Sequence, residues 1–349
     1  MKIAIITDTH FGMRSDSPHF DEAARNFYQA QFFPYLDTNK IGTVLHLGDL
    51  VDRRKYLNIN IWHSFREYFL EEIQKRPIQM HILLGNHDTY FKNTNNINSV
   101  ELLLQPFSNI SVISKVKELT FGTQRVAFVP WICEDNQVST MQFLQDTTAK
   151  QCFGHFEIVG CKMNDKTLCE HGLAVDVFKK FERVLSGHFH HRNAKGNILY
   201  LGCPYEMCWD DYNDPKGFYV WDTDTNDLQF IPNTNTMHAV IQYDDTNPVV
   251  LNPKNYAKKL VKLVVVQKTD FTKFDSFIDK LYAAGVIDLK IVEDLSGFSA
   301  DQVDDTVNIE DTMTLLSEYV DQTAAQEERE RLKTVLKTLH VEAQALENA

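Results

Sequence analysis

The triplets Asp8-Thr9-His10 and His188-Phe189-His190 each set two metal-binding side chains one residue apart. In an extended segment residues i and i+2 project to the same side, so both groups of a triplet reach one place. Asp49, Asn86 and His155 each follow a glycine, just after a short apolar run. Carboxylate, imidazole and amide oxygen together suit borderline divalent metals, manganese or iron, in high coordination better than they suit a closed thiolate zinc site. These seven groups are too many for one ion. The natural count is two ions sharing a carboxylate, about 3.5–4 Å apart, which clamp a phosphate and generate a bound hydroxide. Two dications against Asp8 and Asp49 leave a charge of about +2, which suits an anionic phosphodiester. Taken singly, His10 or His155 reads as an ordinary structural histidine. The order of all the elements carries the reading.

Groups of this kind need rigid elements to aim them. Residues 3–6, 44–47, 80–84 and 184–186 are continuous apolar runs, the pattern of strands buried on both faces. Residues 21–36 and 60–75 read as helices, and in the second Ile61, Phe65, Tyr68, Phe69 and Ile73 recur at helical spacing. The alternation predicts an α/β fold with the polar clusters at the C-terminal ends of sheet strands, where α/β proteins place their sites. Polar turns would explain Gly and Asp there, but not the histidines.

Further along, residues 217–231 read as a hairpin. After Pro248 and Pro253, a strand at 260–266, a helix at 271–284 and a strand at 288–292 make a small α+β unit. Residues 310–320 and 324–346 read as two helices, with Leu332, Val335, Leu336 and Leu339 as an apolar stripe on the second. The expected domains are a catalytic part at 1–245, a capping part at 246–295, an acidic linker at 296–308 and a helical tail at 309–349.

The 349 residues carry 35 Lys+Arg against 48 Asp+Glu, a formal net charge of −13. That balance argues against a protein that grips nucleic acid by bulk electrostatics. The charge is uneven, however. Residues 293–349 hold 14 acids and 4 bases, so the first 292 residues carry only −3, and two bound dications would bring that part to about +1. The apolar run after Met1-Lys2 is too short for a signal-peptide core, and no stretch approaches a membrane span; a cytoplasmic location is expected. The six cysteines form no CxxC pair and read as reduced structural thiols. His46 and His81 fall within strand runs and read as core, and His191 reads as an exposed loop residue.

Asp8-Thr9-His10-Phe11-Gly12, Gly48-Asp49-Leu50-Val51-Asp52-Arg53, Gly85-Asn86-His87-Asp88, Gly154-His155 and Gly187-His188-Phe189-His190 resemble the ordered motifs of the calcineurin-like metallophosphoesterases. The resemblance implies a four-layer α/β/β/α sandwich with a dinuclear site. One ion would take Asp8, His10, Asp49 and His190, the other Asp49, Asn86, His155 and His188. His87 would be the catalytic histidine that protonates the leaving oxygen, with Asp88 fixing its ring. Within this superfamily the DTHFG opening, Leu201-Gly202-Cys203-Pro204-Tyr205 and Pro215-Lys216-Gly217 resemble the SbcD-type DNA-repair nucleases, including the recombination endonuclease subunits of large tailed phages.

That likeness implies a manganese-dependent 3′→5′ exonuclease on duplex ends and an endonuclease on single strands, with magnesium as the alternative ion. It also implies a role in recombination, repair and replication, in the host cytoplasm if the chain is phage-encoded. The partners implied are DNA and an SbcC-type coiled-coil ATPase docked through the C-terminal helices. Pairing through the helix at 60–75 would make a homodimer within a heterotetramer, with no membrane involved. The segment Asp49-Leu50-Val51-Asp52-Arg53 resembles the phosphatase motif as much as the nuclease one. Asp52 is therefore either a base behind the ligands or a partner for Arg53. Arg53, Arg54 and Lys55, followed by Tyr56, lie either against the DNA backbone or on a solvated turn. The motifs leave open a phosphatase, a small-molecule phosphodiesterase, or a subunit whose main task is positioning the ATPase on DNA.

Overall fold

The computed structural model describes residues 1–164, 167–247, 252–293, 329 and 332–333. Its strands, in chain order, are β1 (Lys2–Ile6), β2 (Thr43–His46), β3 (Gln79–Leu83), β4 (Ile110–Ile113) and β5 (Lys117–Phe121). Then come β6 (Gln124–Val129), β7 (Gln151–His155), β8 (Arg183–Gly187), β9 (Asn193–Lys195) and β10 (Ile198–Tyr200). The last are β11 (Gly217–Asp222), β12 (Leu228–Pro232), β13 (His238–Asp244), β14 (Leu260–Gln267) and β15 (Asp288–Glu293). One sheet has the order β12-β11-β1-β2-β3-β4 and the next β5-β6-β7-β8-β10-β9. In each, four strands run parallel, β1 to β4 in the first and β6, β7, β8 and β10 in the second.

Strand alternation explains the layering. Ile3 and Ile5 of β1 join Leu45, Leu83, Phe128, Phe153 and Leu185 in a core between the two sheets. Ala4 and Ile6, on the other face, pack with Val44, Met80 and Ile82 beneath the helices that carry Phe20, Phe27, Phe65 and Ile73. Cys152, Val184 and Ile198 do the same for the second sheet, against Leu144 and Phe178. The result is a four-layer α/β/β/α sandwich. Every inner strand buries apolar side chains on both faces, at roughly 1.5–3 kcal/mol per large residue, which is why the runs lack polar alternation.

The two long helices depart from simple periodicity. Pro18–Phe27 passes through a π turn, Tyr28–Phe32, into Phe33–Asn39. Pro34 has no N–H to offer the preceding turn, and a widened turn absorbs that gap. Ile59–Phe65 likewise passes through Arg66–Leu70 into Glu71–Lys75. Aromatic rings from both segments close around Phe11, which stacks on Phe65 at 4.5 Å and lies 5.4 Å from Phe69. Phe11 directly follows His10, so this aromatic layer holds the Asp8–His10 loop from behind.

The third sheet, β13-β14-β15, is parallel throughout and is covered by the helix Phe271–Ala283. It begins at His238, ahead of residue 246, where the sequence places the start of the cap. Its first strand is pinned to the sandwich by buried Glu206, whose carboxylate accepts the Met237 and His238 amides at 2.6 and 2.7 Å. Met1–Glu293 is one compact unit. Of Asp294–Ala349 only Arg329, Leu332 and Lys333 are described, and they are helical. The expected linker at 296–308 and the tail helices at 310–320 and 324–346 otherwise lie outside the described residues. All six cysteines are unpaired and five are buried. No helix among the described residues is long and apolar enough to cross a membrane.

Candidate metal centre

Five strand ends converge at one end of the sandwich. The loop after β1 carries Asp8 and His10, that after β2 Asp49, that after β3 Asn86 and His87. β7 ends in His155, and the loop after β8 carries His188 and His190. The loops are stitched together through the backbone: Asp8 N–H donates to Gly48 O at 3.0 Å and His10 N–H to Asp49 O at 3.2 Å. Asp8, His10, Asp49 and His188 all hold left-handed backbone conformations, with φ between 41° and 86°. Non-glycine residues avoid that region, and strain of this kind gathers at functional sites. The close approach explains two glycines. A Cβ on Gly48 would lie 2.6 Å from His155 Nδ1, and one on Gly85 would lie 2.1 Å from Asp49 Oδ1.

Six of the seven candidate ligands come together in two groups, Asp8 with His10 and His190, and Asp49 with His155 and His188. Asp49 lies between them, its Oδ2 3.6 Å from His10 Nε2 and 3.3 Å from His155 Nε2. Its Oδ1 accepts the His87 amide at 2.8 Å. His10 Nε2 and His190 Nε2 face each other at 3.0 Å. Asn86 Oδ1 lies 3.1 Å from His155 Nε2 and 2.9 Å from His188 Nδ1. The Nδ1 of His155 donates to Leu47 O at 2.8 Å, which leaves Nε2 to face the site. Asp8 accepts from Thr7 Oγ1 at 2.7 Å and from the His188 amide at 3.0 Å. Lone-pair nitrogens and carboxylate oxygens aimed at one another in a buried place, with no sulfur among them, fit two oxygen- and nitrogen-seeking divalent ions.

Electrostatics follows the same division. Burial lowers His188 to about 3 and His190 to about 4, so both are neutral and available as ligands at neutral pH. Burial also acts on His155, but Asp49 and Asp8 overcome it and lift that ring to about 9. Burial opposes ionisation of Asp49, yet the surrounding His155 and His10 hold its carboxyl well below the ordinary range.

Two expectations are corrected by the geometry, and one of the two alternatives for Asp52 is excluded. Asp88 does not touch the His87 ring. Its two oxygens accept the backbone amides of Asp49, Leu50 and Gly85 at 2.8–2.9 Å, so it clamps two ligand loops together. Burial and the Asp49 charge raise its pKa to about 7 against those donors. The His87 ring is held instead by the Asp52 carbonyl, which accepts from Nδ1 at 2.5 Å. Arg53 pairs with Asp16, not with Asp52; the Asp52 carboxylate lies 3.5 Å from His10 Nδ1. His191 is not an exposed loop histidine. It is 15% exposed and its Nδ1 meets Asp214 at 3.1 Å. His46 is fully buried and bonded to Thr9 Oγ1 at 3.0 Å, as a core histidine; His81 is half-buried in β3.

Two residues at the site were given no role by the sequence, although Lys216 stands in one of the motifs quoted for the resemblance. Lys216 is buried behind His190 and donates to its carbonyl at 2.8 Å. Trp131, after the end of β6, sets its ring 5.3 Å from His188 and 6.1 Å from His155. Its strand-end position was the available signal, but an apolar Val129-Pro130-Trp131 does not resemble a ligand motif.

A family model, calcineurin-like phosphoesterase, matches residues 1–192. The chain belongs to the calcineurin-like phosphoesterase family. It is 30% identical to exonuclease subunit 1 of Enterobacteria phage T4, over 98% of this chain and 99% of the phage protein. Among solved structures, an archaeal phosphodiesterase matches at 13% identity with a TM-score of 0.32, covering 66% of this chain and 99% of its own. A dimetal phosphatase from Danio rerio matches at 11% identity with a TM-score of 0.38, covering 63% and 91%. Members of the family are metal-dependent hydrolases, and the phage relative supports a nuclease-like role for this phosphoesterase.

Proposed function

We propose that this chain is a two-metal DNA nuclease, a 3′→5′ exonuclease on duplex ends and an endonuclease on single strands, using manganese or magnesium. The observation that carries the proposal is the position of Asp49, within 3.6 Å of the imidazoles of both ligand groups and bonded to the amide of His87. Asp8, His10, Asp49 and His190 would hold one ion, and Asp49, Asn86, His155 and His188 the other. The ions supply charge neutralisation at the phosphate and an activated water.

The chain's own residues do the rest. With Nδ1 bonded to the Asp52 carbonyl, the nitrogen that His87 has left for substrate is Nε2, from which it protonates the departing sugar oxygen. Asp88 acts through the backbone, keeping the Asp49 and Asn86 loops at one spacing. Arg54 contacts the DNA backbone. The T4 relative, a subunit of a larger exonuclease by its name, supports assembly with a second protein. We assign that partner as an SbcC-type coiled-coil ATPase, held by residues 309–349, with two copies of this chain paired through the 60–75 helix in the cytoplasm.

The test is a nuclease assay on end-labelled duplex and hairpin DNA, with manganese or magnesium, with and without the ATPase. Metal-dependent shortening from 3′ ends is expected. Hydrolysis of phosphomonoesters with no cleavage of any DNA would replace this reading with a phosphatase.

A further inference from the structure

Trp131 is placed with unusual care for a half-exposed aromatic residue. Its backbone N–H donates to Leu84 O at 2.8 Å, and its backbone carbonyl accepts from the side chains of Asn95 and Asn136 at 2.8 and 3.0 Å. The backbone is thus held in place, and the ring lies beside the second ligand group, 5.3 Å from His188 and 6.1 Å from His155. Next to it opens a cavity of about 420 Å³, lined by Trp131, Ile132, Phe156, Leu173 and the carboxylate-bearing Glu134 and Glu157, and reaching His155. The wall at Gly172 comes so near that a Cβ there would lie 2.2 Å from Glu157 O, and Gly172 holds a left-handed φ of +103°.

The lining says what enters. Two carboxylates repel a phosphate, so the anionic part of a substrate stays at the ligand cluster and its neutral part faces the cavity. A flat apolar wall with acidic acceptors matches a planar ring that carries N–H donors. We propose that this cavity is a nucleoside subsite, in which the base of the nucleotide held at the cluster stacks on Trp131 and donates to Glu134 or Glu157. The proposal rests on the nuclease reading above and adds which part of the nucleotide is gripped. Stacking tolerates every base, so the subsite favours a nucleotide over a bare phosphate without strong sequence preference.

Calorimetric titration of the Mg²⁺-loaded full chain with thymidine 5′-monophosphate and with inorganic phosphate tests this directly. The nucleotide is expected to bind roughly 5- to 150-fold more tightly, the range that base stacking supplies. Trp131→Ala should close most of that gap and Trp131→Phe should restore it. Equal affinities for the two probes in the wild type would overturn the subsite. So would an Ala variant that weakens both probes alike, because Trp131 would then act only by holding His188. A kinetic arm uses the p-nitrophenyl esters of thymidine 5′-phosphate and of methyl phosphate. Trp131→Ala should lose at least about 5-fold more kcat/KM on the first than on the second, and equal losses overturn the proposal. Cleavage of DNA by a protein that shows no nucleotide preference removes the subsite and leaves the nuclease. Nucleotide preference in a protein that cleaves no DNA removes the nuclease reading and leaves a nucleotide phosphoesterase.

Discussion

His190 and His191 are neighbours on one loop, yet they belong to clusters that the molecule treats in opposite ways. His190 joins Asp8 and His10, and His191 joins Asp211 and Asp214. By residue type the two groups are alike. The second carries its own cation: Lys216 Nζ lies 2.7 Å from Asp211 and 2.6 Å from Asp214, with the lysine only 3% exposed. Burial works against that charge, but Cys203 and the two carboxylates outweigh it and raise the ammonium's pKa. At the ligand cluster no lysine or arginine pairs with Asp8 or Asp49 among the described residues; their ion-pair partners are imidazoles. A His/Asp cluster becomes a candidate ion site when its carboxylates face imidazoles, which can give up their protons to an incoming ion, and no lysine is fixed among them.

That contrast is broken most severely by removing the shared carboxylate. Asp49→Ala should cut metal-dependent hydrolysis at least ~10³-fold, the several kcal/mol that metal-held charge stabilisation supplies. The same variant should lose manganese binding by calorimetry. Two ions bound at wild-type affinity would show that Asp49 does not bridge them. At the other cluster the effect should fall on stability. Lys216→Met takes the ammonium away from buried Asp211 and half-buried Asp214, which keep only His191 and backbone amides; breaking a buried pair in this way costs about 3–5 kcal/mol. Urea denaturation in EDTA should show it undiminished, since no metal is involved. A variant as stable as wild type would mean that Asp211 and Asp214 tolerate each other without Lys216.

A buried imidazole that is neither ligand nor ion-paired gives a third case. Burial holds His46 at about 3, far below its ordinary value. The unfolded chain takes up the proton near pH 6.5 and the folded one does not. Stability from neutral His46 is therefore complete above about pH 6.5 and is lost as the pH falls toward about 3, at about 1.4 kcal/mol per unit. Between pH 6.5 and 4.5 the wild type should lose about 2 kcal/mol more than His46→Gln, in urea titrations of the metal-free protein. Parallel losses in the two proteins would mean that His46 titrates normally.

These differences also mark what could be read in advance. The parallel strands, the strand-end placement and the seven clustered residues were legible because each rests on local pattern: an apolar run, then a glycine, then a polar group. Lys216 and Asp211 were not, because their meaning lies in a pairing across a folded loop, and a lysine five residues from an aspartate predicts nothing alone. The task given to Asp88 failed for a related reason. Adjacency in sequence suggested contact with His87, but the turn points its carboxylate back at the amides of Asp49, Leu50 and Gly85. Trp131 was missed because stacking surfaces have no polar signature.

The contrast between a satisfied and an open charge recurs at smaller scale in two consecutive arginines. Arg53 is spent on Asp16, a partly exposed pair, whereas the half-buried Arg54 has no ion-pair partner among the described residues. Exposed ion pairs contribute about 0–1 kcal/mol, so Arg53→Ala should shift stability by no more than that. Its effect on DNA affinity should be small, because the guanidinium is already engaged. Arg54→Ala should weaken DNA binding uniformly across sequences and reduce the slope of log K against log salt by about 1, the signature of one lost phosphate contact. Fluorescence anisotropy across a salt series separates the two. If Arg53 proves to carry the salt slope and Arg54 does not, the Asp16 pair yields to DNA, and an arginine already paired within the chain is still free to bind.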